Sequence, residues 1–169
     1  MNNQGITKIE ILIIGLIIGL LGLMAVVAVS TARSRTRDAV RLSDVRQTQA
    51  ALELYFNDTN MYPETAEAIA LGQASTICLG ESGFAGSCPE ATQTVYMLVV
   101  PSTPTAGLEK LSSCGSANNA YCYAGDDGEY RIQFELERAN PLIELESGLN
   151  CATESGIDPG ECSALTVSE

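Results

Sequence analysis

The chain has 169 residues, 46% of them hydrophobic, with nine Lys and Arg set against 21 Asp and Glu for a net charge of −12. So acidic a balance argues against nucleic acid as a direct partner, because phosphate contacts need clustered cations. Histidine and tryptophan are both absent, which removes the commonest general base and the commonest transition-metal ligand. No nucleophile elbow and no phosphate loop occurs, so nothing in the chain reads as an enzyme.

The first element is apolar. Residues 11–32 contain no charged side chain, a run of 22. As a helix rising ~1.5 Å per residue, that run spans roughly 33 Å, enough to cross a hydrocarbon core of ~30 Å. Gly15, Gly19 and Gly22 fall on one face of such a helix, where small residues let a second helix approach closely. Glu10 stands at the mouth of the run, and a lone carboxylate at bilayer depth is costly.

Five of the nine cations come directly after the run: Arg33, Arg35, Arg37, Arg41 and Arg46. They read as partners for acidic groups of neighbouring molecules, for lipid headgroups, or for solvent. Leu42, Val45, Gln49, Leu52 and Phe56 then keep helical spacing with one polar interruption, so the helix continues as an amphipathic segment packed on a head domain. Pro63 disfavours helix at Tyr62, and the helix is expected to end near residues 58–60.

Beyond the helix lie six cysteines, Cys78, Cys88, Cys114, Cys122, Cys151 and Cys162. An even count in a small loop-rich domain indicates disulfides formed in an oxidising compartment. Pairing of sequence neighbours is expected: Cys78–Cys88, Cys114–Cys122 and Cys151–Cys162. No CxxC spacing and no histidine supports a zinc site instead. The arginines after the span would by themselves favour a cytoplasmic head; the cysteines place it on the other side, and they are the stronger signal.

Within this head, residues 94–100 (TVYMLVV) read as one continuous strand. Residues 120–123 and 130–137 read as a hairpin joined by AGDDG. Along its second arm Tyr130, Ile132, Phe134 and Leu136 alternate with Arg131, Gln133, Glu135 and Glu137, so one face should pack on the helix and the other should meet water. Asp126 and Asp127 in the turn are oxygen ligands of the kind calcium takes, although Asp-Asp-Gly is also ordinary turn chemistry and lacks a spaced calcium-loop pattern. No other cofactor is expected. The tail from residue 150 has no periodicity and reads as a loop. The fold class expected is α+β: a long hydrophobic helix against an antiparallel sheet of three or four strands, with disulfide-stapled loops.

The stretch GITKIE before an apolar helix resembles the processing site of type IV prepilins and type II secretion pseudopilins. The segment DVRQTQAALELYFNDTNMYPE and the hairpin AYCYAGDDGEYRIQFELE are also similar to that family, the likeness being strongest over residues 5–64. It differs in carrying Ile6 where the family usually has Phe, Lys8 at a usually apolar position, and Val27 in place of a kinking proline. The resemblance implies a leader at 1–5, a membrane and filament-core helix at 6–32, its amphipathic continuation at 33–60 and a globular head at 61–169. It implies cleavage between Gly5 and Ile6, N-methylation of Ile6, and pairing of Glu10 with the new amino terminus of a neighbouring subunit. A calcium site in a head-domain loop is a further family feature.

Implied partners are identical subunits in a helical filament, a prepilin peptidase that also methylates, an assembly ATPase and a platform protein. The precursor would sit in a bacterial inner membrane and the product in an extracellular or periplasmic filament. A surface pilus for adhesion, motility or DNA uptake is the expected role. The alternatives are a major pseudopilin of type II secretion and, from another class, a single-span anchored binding domain that never polymerises.

Overall fold

The computed structural model describes residues 7–88, 93–126 and 128–163. Its dominant element is α1, a continuous helix over Lys8–Thr59, about 78 Å long at ~1.5 Å per residue. No proline interrupts it. Asn60 ends it in the left-handed conformation at φ 57°, and its N–H donates to the Phe56 carbonyl at 2.7 Å; asparagine is the residue besides glycine that tolerates this cap.

Among the described residues, ten short strands come after the helix: β1 (Ile69–Ala70), β2 (Cys78–Gly80), β3 (Gly83–Ala85), β4 (Val95–Met97), β5 (Ser113–Cys114), β6 (Ala117–Asn118), β7 (Cys122–Asp126), β8 (Glu129–Leu136), β9 (Gly148–Thr153) and β10 (Gly156–Pro159). They form a five-stranded sheet in the order β1-β7-β8-β9-β10, a three-stranded sheet β3-β2-β4 and the small pair β5-β6, all antiparallel. The molecule therefore joins one long helix to antiparallel sheets.

The second half of α1 packs on the main sheet. Val45 and Leu52 are fully buried, with Leu42 and Phe56 packed beside them, against Tyr130, Ile132, Phe134 and Leu136 of β8. The helical stripe and the strand alternation thus meet each other. Just past the helix, Tyr62 stacks on Phe56 at 4.8 Å and meets Tyr130 edge-on at 4.7 Å. Tyr123 donates to the Pro63 carbonyl at 2.8 Å, which pins the turn to β7.

Three expectations need correction. The main sheet has five strands, because the tail that lacks periodicity forms β9 and β10; β9 is held by its backbone ladder to β8 and β10 by its ladder to β9 rather than by an apolar pattern. The apolar run at 94–100 supplies only the three residues of β4, and Leu98 and Val99 stand 70% and 72% exposed. Among the described residues β4 is an edge strand whose one partner is β2, so strand propensity beyond the pairing residues finds no ladder there to join.

The third correction concerns the polar side of β8. Gln133 and Glu135 are buried, at 5% and 2% exposure. Gln133 lies in register between Cys122 of β7 and Cys151 of β9, and those cysteines are bonded to Cys114 and Cys162. The segment leading into Cys114 and the Cys162 end of the second stapled loop cover the face that was expected to be wet. The Cys162 N–H donates to Gln133 Oε1 at 3.2 Å, and the Glu135 carboxylate accepts from the N–H groups of Glu109 and Leu111. The third disulfide joins Cys78 to Cys88, so every cysteine is bonded to its neighbour in sequence.

Candidate assembly site

Among the described residues, nothing packs on the first half of α1. From Ile9 to Val29 its large apolar side chains are 48–70% exposed, and its most apolar window has a mean hydropathy of 3.0 with no residue buried. The helix is long and apolar enough to cross a membrane. Burying such a surface yields roughly 25 cal/mol per Å², so this half of the helix is a surface awaiting an apolar environment. A β-carbon built on Gly15, Gly19 or Gly22 would meet no atom within 4 Å beyond the local helix.

Glu10 lies at the start of α1. Its carboxylate accepts from the Thr7 N–H and its own N–H donates to Thr7 Oγ1, each at 3.4 Å. This reciprocal pair is a capping box, satisfying two N–H groups that the first turn leaves without helical partners. The pattern Thr-x-x-Glu at residues 7–10 carries that signal in the sequence, although the reading of Glu10 from sequence did not include it. Gly5 and Ile6 lie outside the described residues.

A cluster of charges joins the stalk to the head. Arg37 donates from Nε and Nη2 to the two carboxylate oxygens of Glu137, both at 2.6 Å. Arg41, with no exposed surface, donates from Nη1 to Asp38 Oδ1 at 2.7 Å and to Glu137 Oε1 at 2.8 Å. Its other nitrogens reach the carbonyls of Pro104 and Ala106. Asp38 in turn accepts from the N–H groups of Glu137 and Arg138 at 2.9 and 3.1 Å. Every buried charge here has a partner, which offsets the several kcal/mol that desolvating each would otherwise cost. The bonds from Arg37 and then Arg41 hold the Glu137 carboxyl below its ordinary range, against the opposing effect of burial.

These contacts revise the sequence reading of two arginines. Arg41 is fully buried and Arg37 partly so, and both bind the end of β8. Nothing local in the sequence names Glu137 as their partner, since it lies 100 and 96 positions further along the chain. Glu137 is therefore not a water-facing residue. Gly107, at φ +80°, packs so closely on the Glu137 carboxylate that a β-carbon there would collide with it.

The β7–β8 turn brings Asp126 opposite Glu129 in register, with Gly128 at φ +95°. Asp127 lies outside the described residues. Among the described residues no group of three or more His, Cys, Asp or Glu side chains is placed to hold a metal ion. Tyr121 donates to Asp44 at 3.0 Å across the helix–sheet interface, and burial raises the Asp44 carboxyl despite that bond.

The chain matches no protein-family model. It matches no characterised protein and no solved structure.

Proposed function

We propose that this chain is a structural subunit of a type IV pilin-like filament, assembled through its N-terminal helix after cleavage between Gly5 and Ile6. The observation that carries the reading is the division of one continuous helix. Its second half is built into the head, while its first half, uncharged from residue 11 to 32, packs on nothing among the described residues. A membrane satisfies the first half of α1 before assembly, and a bundle of identical helices satisfies it afterwards.

In that bundle the α-amino group freed at Ile6 competes with the Thr7 cap for the Glu10 carboxylate. A charged pair between neighbours costs far less at bilayer depth than a lone carboxylate, so the exchange sets axial register. Gly15, Gly19 and Gly22 give the close approach. The head, held by three disulfides, forms the outer surface, and its stapled loops favour a surface pilus over a periplasmic pseudopilus. In this reading the protein is not an enzyme and needs no cofactor.

Mass spectrometry of the chain from its native membrane tests the proposal. The expected mature N-terminus is N-methyl-Ile6. An intact MNNQG on the mature protein would overturn the filament reading in favour of a non-polymerising anchored domain.

A further inference from the structure

Beside the base of the head lies an open groove of about 780 Å³ between α1 and the segment after β8. Its apolar surface comes from Leu42, Leu136 and Leu142, the last 92% exposed. Arg35, Arg46 and Arg138 stand around it. These three are exposed and make no ion pair among the described residues, in a chain whose net charge is −12. Asp38, the carboxylate in the groove, is already held by Arg41 and two backbone N–H groups.

The opposite end of the head carries the complement. Leu54 and Met61 are 56% and 48% exposed at the end of α1. Around them Glu53, Asp58 and Glu64 make no ion pair among the described residues. Glu53 and Asp58 accept from the Tyr62 and Tyr96 hydroxyls, each at 3.0 Å, and no cation neutralises them among the described residues. One end thus combines apolar side chains with cations outside any ion pair, and the other combines apolar side chains with carboxylates outside any ion pair.

We propose that the basic groove of one copy receives the acidic end of a second copy's head. The contact joins two different surfaces, so it repeats along an assembly instead of closing into a dimer. With Asp58 of one copy against Arg46 of the next, the two are offset by about 18 Å along the helix axis at ~1.5 Å per residue. Two other occupants fit less well. The neighbour's apolar run bears no charge, and seating it here would desolvate three arginines with nothing to pair them. A membrane surface reaches Arg35 but not Arg46, which lies roughly 21 Å beyond the end of the apolar run at ~1.5 Å per residue. The proposal deepens the filament reading by naming where heads meet.

The test uses the full chain in membranes, as an equal mixture of ¹⁴N- and ¹⁵N-labelled protein. Arg46→Lys keeps the charge and supplies an amine for zero-length carbodiimide coupling to carboxylates. The expected product is a mixed-isotope crosslink from that lysine to Glu53, Asp58 or Glu64. Coupling only to carboxylates elsewhere, or no mixed-isotope product at all, overturns the proposal.

In a second arm, the exposed reversals Arg46→Glu with Arg138→Glu should reduce head–head association about tenfold, in line with a few exposed charge pairs acting together. Mixing that variant with an Asp58→Lys/Glu64→Lys chain should restore it. No restoration identifies another occupant and overturns the proposal, as does an effect seen only in anionic lipid. Because the N-terminus is sequenced in the same samples, a crosslink between unprocessed chains would sink the filament reading and leave this contact standing.

Discussion

Arg37 and Glu137 stand 100 residues apart in sequence and form a two-pronged ion pair, both N–O distances being 2.6 Å. That pair, with Arg41 wedged behind it, fastens the point where the helix enters the head to the end of the central strand β8. The helix is thus tied to the sheet through Glu137 as well as through the apolar packing of Val45 and Leu52.

Removing Glu137 should be severe. Glu137→Ala leaves Arg41 buried with Asp38 as its one remaining anionic partner, and breaking a buried pair in this way typically costs about 3–5 kcal/mol. A two-state thermal or urea melt of the head should show it. A loss below ~1 kcal/mol, the size of a surface pair, would mean the cluster contributes no more than solvent-exposed charges.

The same residue predicts an acid response with a definite sign. The Glu137 carboxyl titrates below its ordinary value of 4.5 in the folded protein. A depressed carboxyl binds fewer protons folded than unfolded, so its contribution is complete above about pH 4.5 and is lost as pH falls towards the folded value. The stability difference between wild type and Glu137→Gln should hence shrink as pH drops below 4.5. A difference that stays constant down to pH 2 would exclude this linkage.

One helix offers an internal control. Leu52 has no exposed surface, whereas Leu20 is 60% exposed. Leu52→Ala should destabilise the head by about 2–5 kcal/mol, while Leu20→Ala should leave its melt unchanged. Equal effects on the melt would show that the stalk and the head are not separate in packing.

Glu10→Ala should impair entry into filaments and leave the fold of the head intact. Shed filaments, quantified against membrane-bound subunit, are the readout. Normal assembly of the variant would remove the register role assigned to this carboxylate.

Reduction should loosen the head. The three bonds close short spans of 10, 8 and 11 residues, and each such crosslink is typically worth ~2–4 kcal/mol. Two of them also hold in place the loops that cover Gln133 and Glu135. A melting temperature indifferent to reductant would contradict their structural role.

Several features could be read directly from the residues. The uncharged run at 11–32 marks a helix suited to an apolar surrounding, because transfer free energy is a property of composition. Pro63 forecasts the helix end, because its ring restricts the residue before it. The alternation of Tyr130, Ile132, Phe134 and Leu136 marks a buried strand face, because side chains on a strand repeat every two residues.

What folding alone decided is the fate of the opposite face. Gln133 and Glu135 look wet in any local window, yet the segment leading into Cys114 and the Cys162 end of a stapled loop close over them and supply N–H donors that make burial tolerable. Arg37 and Arg41 look like solvated cations until Glu137 arrives from the far end of the chain. β9 and β10 have no apolar rhythm and exist because β8 offers β9 its backbone partners and β9 in turn offers them to β10. Local pattern reports what a segment can be; which polar groups are buried depends on partners brought together across about a hundred residues, and only the assembled head supplies those.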